Sequence, residues 1–376
     1  MIYLDYNATT PVAPQALDAM LPYLREHFGN PSSAHAYGRR AQEAVERARG
    51  QVATLIGAHP GEILFTGSAT EANNLAILGA AWALRARGRH LVTSAVEHPA
   101  VAAPMARLRD LGWEVDVLAV DGSGRVSPES LAGALRDDTV LVSVMHANNE
   151  VGTLEPIAEL AALARVRGAL FHTDAAQSVG KVPVDVNALG VDLLTIAGHK
   201  LYAPKGVGAL YVRPGTPLVP ILVGAGHERG LRPGTENVPH IVGLGAAAQL
   251  AGGRLPGSAE RLRARRDELH RCLAAGVPGL VLNGHPEERL PNTLSCSFPG
   301  VSGRELLEQT PSVAASVGSA CHGSDTAVSG VLGAMGIPPE QALGAVRLSI
   351  GEPTTDEEIQ AAAQALVATW SSLRSR

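Results

Sequence analysis

Of 31 basic residues, 28 are arginine and three are lysine: Lys181, Lys200 and Lys205, all within 25 positions. A guanidinium replaces an ammonium on a surface, but it cannot deprotonate to a neutral amine and form a Schiff base with a carbonyl. The lysines of so arginine-rich a chain are therefore the first candidates for that chemistry. Lys200 stands in Ala197-Gly198-His199-Lys200, directly after the apolar run 191–196, where an α/β sheet delivers its active loops. Asp174 closes another strand-like run, 169–173, and precedes Lys200 by 26 positions. A carboxylate there could pair with the ring nitrogen of a pyridine cofactor whose aldehyde Lys200 holds. The same residue in the same place also serves as an ordinary helix cap. Lys181, in Gly180-Lys181-Val182, and Lys205, in Pro204-Lys205-Gly206, read as solvated turn lysines as readily as chemical ones.

The run Phe65-Thr66-Gly67-Ser68-Ala69-Thr70-Glu71 passes from a strand through small residues into a helix. Backbone N–H groups at a helix start, with Ser and Thr hydroxyls, make an anion site suited to a phosphate, although a Gly-Ser pair alone marks only a turn. His98, in Val96-Glu97-His98-Pro99, also follows a strand, and in a chain of 3% aromatic residues its imidazole is a reasonable ring to stack on a flat cofactor. Cys272, three positions after Leu269 on a helical face, and Cys296, in the alternating run 294–298, read as small core hydrophobes. Cys321 differs. The run 316–324 is rich in Gly and Ser and has no apolar period to bury a thiol, and His322 beside it favours thiolate, so Cys321 is the candidate nucleophile. No His-x-x-x-His or Glu-x-x-His pattern and no Cys-x-x-Cys pair points to a metal.

Positioning these groups requires a sheet. From about residue 60 to 212, short β-rich runs alternate with helical patterns, and 62–66, 90–93, 139–144 and 191–196 include runs apolar on both faces, as a sheet covered by helices on both sides demands. Ala41, Val45, Ala48, Val52 and Leu55 recur at helical spacing up to a stop at Gly57. The pattern breaks at Gly252-Gly253-Arg254-Leu255-Pro256-Gly257, before an arginine-rich helix with Leu262, Leu269 and Leu273 on one face. A last helix opens on Thr355-Asp356-Glu357-Glu358, a capping box, with Ile359, Leu366, Trp370 and Leu373 inward. With 376 residues, two domains are expected. Hydrophobic residues at 45% and charged residues at 18% exclude a disordered chain. A net charge of −5 gives no basic field for nucleic acid. Apolar stretches end well short of the roughly 20 residues of a membrane span. The start, Met1-Ile2-Tyr3-Leu4-Asp5, has no signal-peptide pattern, so the expected location is cytoplasmic.

Taken together, the motifs resemble the class V, fold-type I pyridoxal-phosphate enzymes of the cysteine desulfurase and selenocysteine lyase group. The likeness runs end to end, through Tyr3-Leu4-Asp5-Tyr6-Asn7-Ala8-Thr9-Thr10-Pro11, Gly29-Asn30-Pro31-Ser32-Ser33, Ala69-Thr70-Glu71-Ala72-Asn73-Asn74, Glu97-His98, Asn148-Asn149-Glu150-Val151-Gly152, Asp174-Ala175-Ala176-Gln177, Gly198-His199-Lys200, Arg232-Pro233-Gly234-Thr235-Glu236-Asn237, Gly318-Ser319-Ala320-Cys321 and Arg347-Leu348-Ser349. It implies an α/β fold: a large cofactor domain, 14–252, with a mainly parallel sheet covered by helices, and a smaller α+β domain, 1–13 with 253–376, carrying the cysteine loop. It also implies roles. Lys200 holds pyridoxal 5'-phosphate as a Schiff base and acts as the base, Asp174 keeps the ring nitrogen protonated, Gln177 meets the ring hydroxyl, and His98 stacks on the ring. Thr70, His199 and the backbone from Ala69 bind the phosphate, and Thr235 reaches the phosphate of the partner subunit in a homodimer. Arg347 clamps the substrate carboxylate, with Asn149 beside it at the cofactor. Cys321 takes sulfur from L-cysteine as a persulfide, leaving L-alanine, for acceptors such as an iron–sulfur scaffold.

Two features depart from the usual desulfurase pattern. Ala197 stands where a serine is usual, which removes one phosphate hydrogen bond, a loss of about 1 kcal/mol. The runs 195–199, 232–235 and 316–322 look more like the selenocysteine lyases, which keeps L-selenocysteine as the alternative substrate. A class V aminotransferase is a more distant alternative, and a catalytically silent sulfur carrier would lack Lys200 and Asp174.

Overall fold

The computed structural model describes residues 1–318 and 329–375, so Cys321, with the rest of 319–328, lies outside the described residues. The main sheet runs in the order Ile63–Thr66, Gly208–Val212, Leu193–Ala197, Leu170–Asp174, Thr139–Ser143, His90–Ser94 and Glu114–Leu118. Gly208–Val212 is antiparallel to both its neighbours and the other pairings are parallel. Successive side chains on a strand point to opposite faces. Leu64, Leu91, Leu141, Leu193 and Leu210 accordingly join one core with the helices Ala69–Leu84 and Pro99–Asp110. Their neighbours Phe65, Val92, Val142, Leu194 and Tyr211 join another, with Ala36–Leu55, Ile157–Val166 and the first half of Val238–Gly276. This is the mainly parallel sheet, covered on both faces, that the apolar runs predict. The parallel strands end at one edge, so the segments that follow them, including 67–71, 95–98, 175–177 and 198–200, gather there.

A second, antiparallel sheet of Ala345–Ser349, Thr293–Ser297 and Val281–Asn283 has its own core with the last helix, Asp356–Arg374. The chain start joins it: Ile2–Tyr3 pairs with Val313–Ala314, and Leu4 is fully buried in that core. The expected capping box is present. Thr355 Oγ1 accepts from Glu358 N at 3.2 Å and Glu358 Oε2 accepts from Thr355 N at 2.9 Å.

Two expectations need correction. The pattern break at 252–257 is not a break in the backbone, because a single helix, Val238–Gly276, runs through it for 39 residues. Ile241, Leu244 and Ala248 bury one end in the first core, and Leu262, Leu269 and Leu273 bury the other in the second. Burial at both ends outweighs the poor helix propensity of the glycines and proline between them. Cys272, expected in the core, only borders it, with Sγ 3.4 Å from Glu268 Oε1; Cys296 is fully buried, as expected.

Gly253 is helical, and the space where a Cβ would stand is open. Gly253→Ala should therefore raise stability in chemical denaturation by up to about 1 kcal/mol; a loss would argue against a continuous helix.

Candidate active site

The strand Leu193–Ala197 runs into one tight turn, Gly198–Lys200. Only glycine fits at its start, since a Cβ on Gly198 would meet Val207 O at 2.7 Å. The turn brings Lys200 Nζ to the N-terminal segment, where it donates to Asn7 O and, at 2.6 Å, to Ala8 O. Burial and then the charge of Arg347 pull the Lys200 pKa down to about 8, against the opposing pull of Asp5 and Asp174. An ordinary lysine at pH 7 is a free amine in roughly one molecule in a few thousand, whereas this one is so in roughly one in ten.

Asp174, the last residue of its strand, is buried and held on both oxygens: Oδ2 accepts from Asn73 Nδ2 at 2.7 Å and Oδ1 from Ala176 N at 2.9 Å. The second bond is a turn contact and not a helix cap, since the next helix starts at Val186 with Asp185 as its cap. Asp174 thus holds its own loop within electrostatic reach of His98 and Lys200. His98 starts the helix Pro99–Asp110, and its Nδ1 accepts from Ala100 N at 3.1 Å, which leaves the proton of the neutral ring on Nε2. Desolvation lowers its pKa, with Asp174 raising it and Lys200 lowering it.

The helix Ala69–Leu84 begins beside this group. Ser68 caps it, its Oγ accepting from Glu71 N at 3.1 Å, while the N–H groups of Ala69 and Thr70 have no intrahelical acceptor. Gly208 allows the sheet to lie against this start, because a Cβ there would meet Ser68 C at 2.8 Å and Ala69 N at 3.0 Å. Thr70 and His98 line one open groove. Thr235 lines a different, smaller cavity with Thr66 and Gly67. His199 Nδ1 sits 3.2 Å from Thr9 Oγ1, and burial, with the charges of Lys200, Lys205 and Lys181, pushes its pKa to about 4.

Arg347 is buried in the strand Ala345–Ser349, with Nη2 donating to Asp5 Oδ1 at 2.7 Å and Nη1 to Asn149 O at 3.1 Å. Among the described residues its Nε has no partner. Asn149 therefore does lie beside Arg347, joined through its backbone, and Asp5 places a carboxylate on the guanidinium. Gln177 is buried, and its Nε2 donates to Asn7 O at 3.0 Å, the same carbonyl that Lys200 meets. Lys200, Gln177, Asn149 and Arg347 thus bond the N-terminal segment, and Asp174 and His98 lie within electrostatic reach of Lys200.

Sequence reasoning missed four residues. Asn7, 1% exposed, bonds both sheets' loops. Asn73 orients Asp174, and its signal was a polar residue on the buried face of an otherwise apolar helix. Asp5 is the partner of Arg347. Lys181, left without a role, is buried against Gln177. Among the described residues no cluster could hold a metal ion, and no helix is long and apolar enough to cross a membrane. A half-buried amine of lowered pKa, a fixed buried carboxylate and a helix start that glycine brings close to the sheet are the groups a phosphorylated pyridine aldehyde needs, so the donor set fits pyridoxal phosphate.

A mainly parallel sheet with a half-buried lysine and a buried aspartate at its carboxyl edge is the scaffold of the fold-type I pyridoxal-phosphate enzymes. The aminotransferase class-V family matches residues 2–362, and the chain belongs to that family, in its cysteine desulfurase group. It is 49% identical over 363 residues to the cysteine desulfurase IscS of Anaeromyxobacter sp. (strain Fw109-5), covering 95% of this chain and 89% of that one. A solved NifS-like protein has a TM-score of 0.93 at 37% identity, over 98% of this chain and 99% of the other. SspA, solved in complex with cysteine, has a TM-score of 0.83 at 36% identity, over 93% and 99%.

Two outcomes follow from these surroundings. Arg347→Met removes a like charge and frees Asp5, so the pH midpoint for chemical modification of Lys200 in the apoprotein should rise above about 8; an unchanged midpoint would show that burial alone sets it. Glu155 is buried, its Oε1 has no partner among the described residues, and burial raises its pKa from 4.5 to about 8. The folded protein holds that proton where the unfolded chain releases it, so this term favours folding at low pH and is lost as pH rises from about 4.5 to about 8. Glu155→Gln keeps the acceptor for Val126 N and should flatten the fall of melting temperature across that window.

Proposed function

We propose that this protein is a pyridoxal-phosphate-dependent cysteine desulfurase that converts L-cysteine to L-alanine and holds the sulfur on Cys321 for transfer. The observation that carries the reading is Lys200, a half-buried amine whose pKa lies near 8 under the opposed charges of Arg347 and Asp174, in a chain whose relatives are named cysteine desulfurase. Lys200 holds the cofactor aldehyde, Asp174 the ring nitrogen, Gln177 the ring hydroxyl and His98 the ring face. Ala69, Thr70 and His199 hold the phosphate, and Thr235 serves the partner subunit's phosphate in a homodimer. When bound, pyridoxal phosphate supplies an electron sink conjugated to the substrate Cα.

The chain's own groups then do the following. Arg347 receives the substrate carboxylate on its guanidinium, with Asn149 beside it. Lys200 Nζ, freed when the substrate amine takes its place, takes the Cα proton, a task suited to an amine whose pKa is near the working pH. The Cys321 thiolate attacks the substrate sulfur. As the new S–S bond forms, the Cβ–S bond breaks and its electron pair goes to Cβ; Cβ takes up a proton, Lys200 returns one to Cα, and the product leaves as alanine. The persulfide on Cys321 passes to an acceptor such as an iron–sulfur scaffold protein. We assign cofactor binding to residues 14–252 and the cysteine loop to a second unit, 1–13 with 253–376, the two sharing the helix Val238–Gly276.

Lys200→Ala should lose both the visible absorbance of the loaded protein and alanine formation, and full retention of both would overturn the assignment. Cys321→Ser should abolish alanine formation from cysteine while sparing cleavage of selenocysteine, whose selenol leaves more easily. A wild-type protein that cleaves selenocysteine but not cysteine would make it a selenocysteine lyase.

A further inference from the structure

Lys181 is the least informative of the three lysines in sequence and the most buried in the structure, at 8% exposure. Its Nζ donates to Gln177 Oε1 at 2.9 Å, and Gln177 Nε2 donates to Asn7 O at 3.0 Å. Lys200 Nζ donates to the same Asn7 carbonyl, and both lysines line one cavity. An amide has two nearly isosteric ends, and what surrounds it decides which way it faces. Here the ends are told apart by their neighbours. A flipped Gln177 would set its NH2 against an ammonium and its carbonyl against the carbonyl of Asn7, two repulsions in place of two bonds.

The site is a costly place for a cation. No ion pair of Lys181 is seen among the described residues, and burial, together with the charges of Lys200 and Arg347, lowers its pKa to about 7. A lysine kept at such a cost needs a use, and the use its contacts indicate is donation to Gln177 Oε1, which is one-directional in the ammonium form.

We propose that Lys181 is a positioning residue for the active site: its ammonium, a donor only, fixes the Gln177 amide so that Nε2, not Oε1, faces Asn7 O and Lys200. The second Nε2 hydrogen is then the one available to a ring hydroxyl. This rests on the reading that Lys200 and Gln177 hold pyridoxal phosphate.

The test is titration of pyridoxal phosphate into apoprotein, with thermal melting to check folding. Lys181→Gln fills the site but can donate or accept, so it no longer dictates the orientation, and it should weaken cofactor binding roughly fivefold to tenfold. Lys181→Arg is larger but donor-only, and should bind more tightly than Lys181→Gln. A merely structural role predicts the reverse order, since the neutral, smaller glutamine suits a buried site better. Gln177→Leu should show a similar loss, and adding Lys181→Gln to it should cost nothing more, because the two act as one unit. Additive losses, or wild-type affinity in Lys181→Gln, would overturn the proposal. A wild-type apoprotein that takes up no pyridoxal phosphate would overturn the functional reading and this one with it, whereas normal uptake with additive losses overturns this one alone.

Discussion

The active-site side of the structure depends on one buried asparagine. Asn7 N donates to Ser349 Oγ at 2.9 Å, its Nδ2 donates to Asn149 O at 3.1 Å and Thr293 Oγ1 at 2.8 Å, and its Oδ1 accepts from Asn292 Nδ2 at 3.1 Å. Its carbonyl accepts from both Gln177 and Lys200. Ser349, Thr293 and Asn292 belong to the smaller antiparallel sheet or its approach, while Asn149, Gln177 and Lys200 follow strands of the large one. Each bond is worth only about 1 kcal/mol net, but a buried polar group left without its partner costs about 1 to 3. The register of the N-terminal segment between the two sheets is therefore set by satisfaction of one residue, and the site forms only when that segment is in place.

That placement decides the electrostatics of Lys200. An amine in a dry site loses charge to desolvation, and a second cation, Arg347, adds to the effect. Asp5 and Asp174 pull the other way, which leaves the pKa at about 8 rather than lower. Asp5 reaches Arg347 because the strand Ile2–Tyr3 ahead of it is anchored on Val313–Ala314. The charge state of a residue after the large sheet is thus tuned by a contact made at the small one.

Much of this was legible in the sequence, for a physical reason in each case. The strands of the large sheet show because burial on both faces makes consecutive residues apolar, as in Leu64-Phe65 and Leu91-Val92. Lys200 and Asp174 show because each ends an apolar strand, and the last helix shows through its capping box. The long helix does not, because Gly252, Gly253 and Pro256 are local signals and what holds the helix is burial at its two ends. Lys181 does not, because Gly-Lys-Val looks like a surface turn; Pro11, Val12 and Ala251, which close over its cavity, come from elsewhere in the chain. Local pattern reports faces and ends, and it is silent about what a distant segment later covers.

Arg347 and Asp5 bring these strands of argument together. The guanidinium already binds a carboxylate at 2.7 Å, yet among the described residues its Nε is buried without a partner. A buried donor in that state costs free energy, which is regained when an acceptor arrives. In the proposed reaction the substrate carboxylate is that acceptor, and it would need a forked donor set that Nη2 now shares with Asp5. On that proposal its arrival would weaken the Asp5 contact while adding a negative charge of its own near Lys200, handing the balance that sets the lysine pKa from a fixed carboxylate to a mobile one. Asp5 would then do more than neutralise a buried cation: it would keep the guanidinium in a geometry that already suits a carboxylate, so that little order is lost when the substrate takes its place.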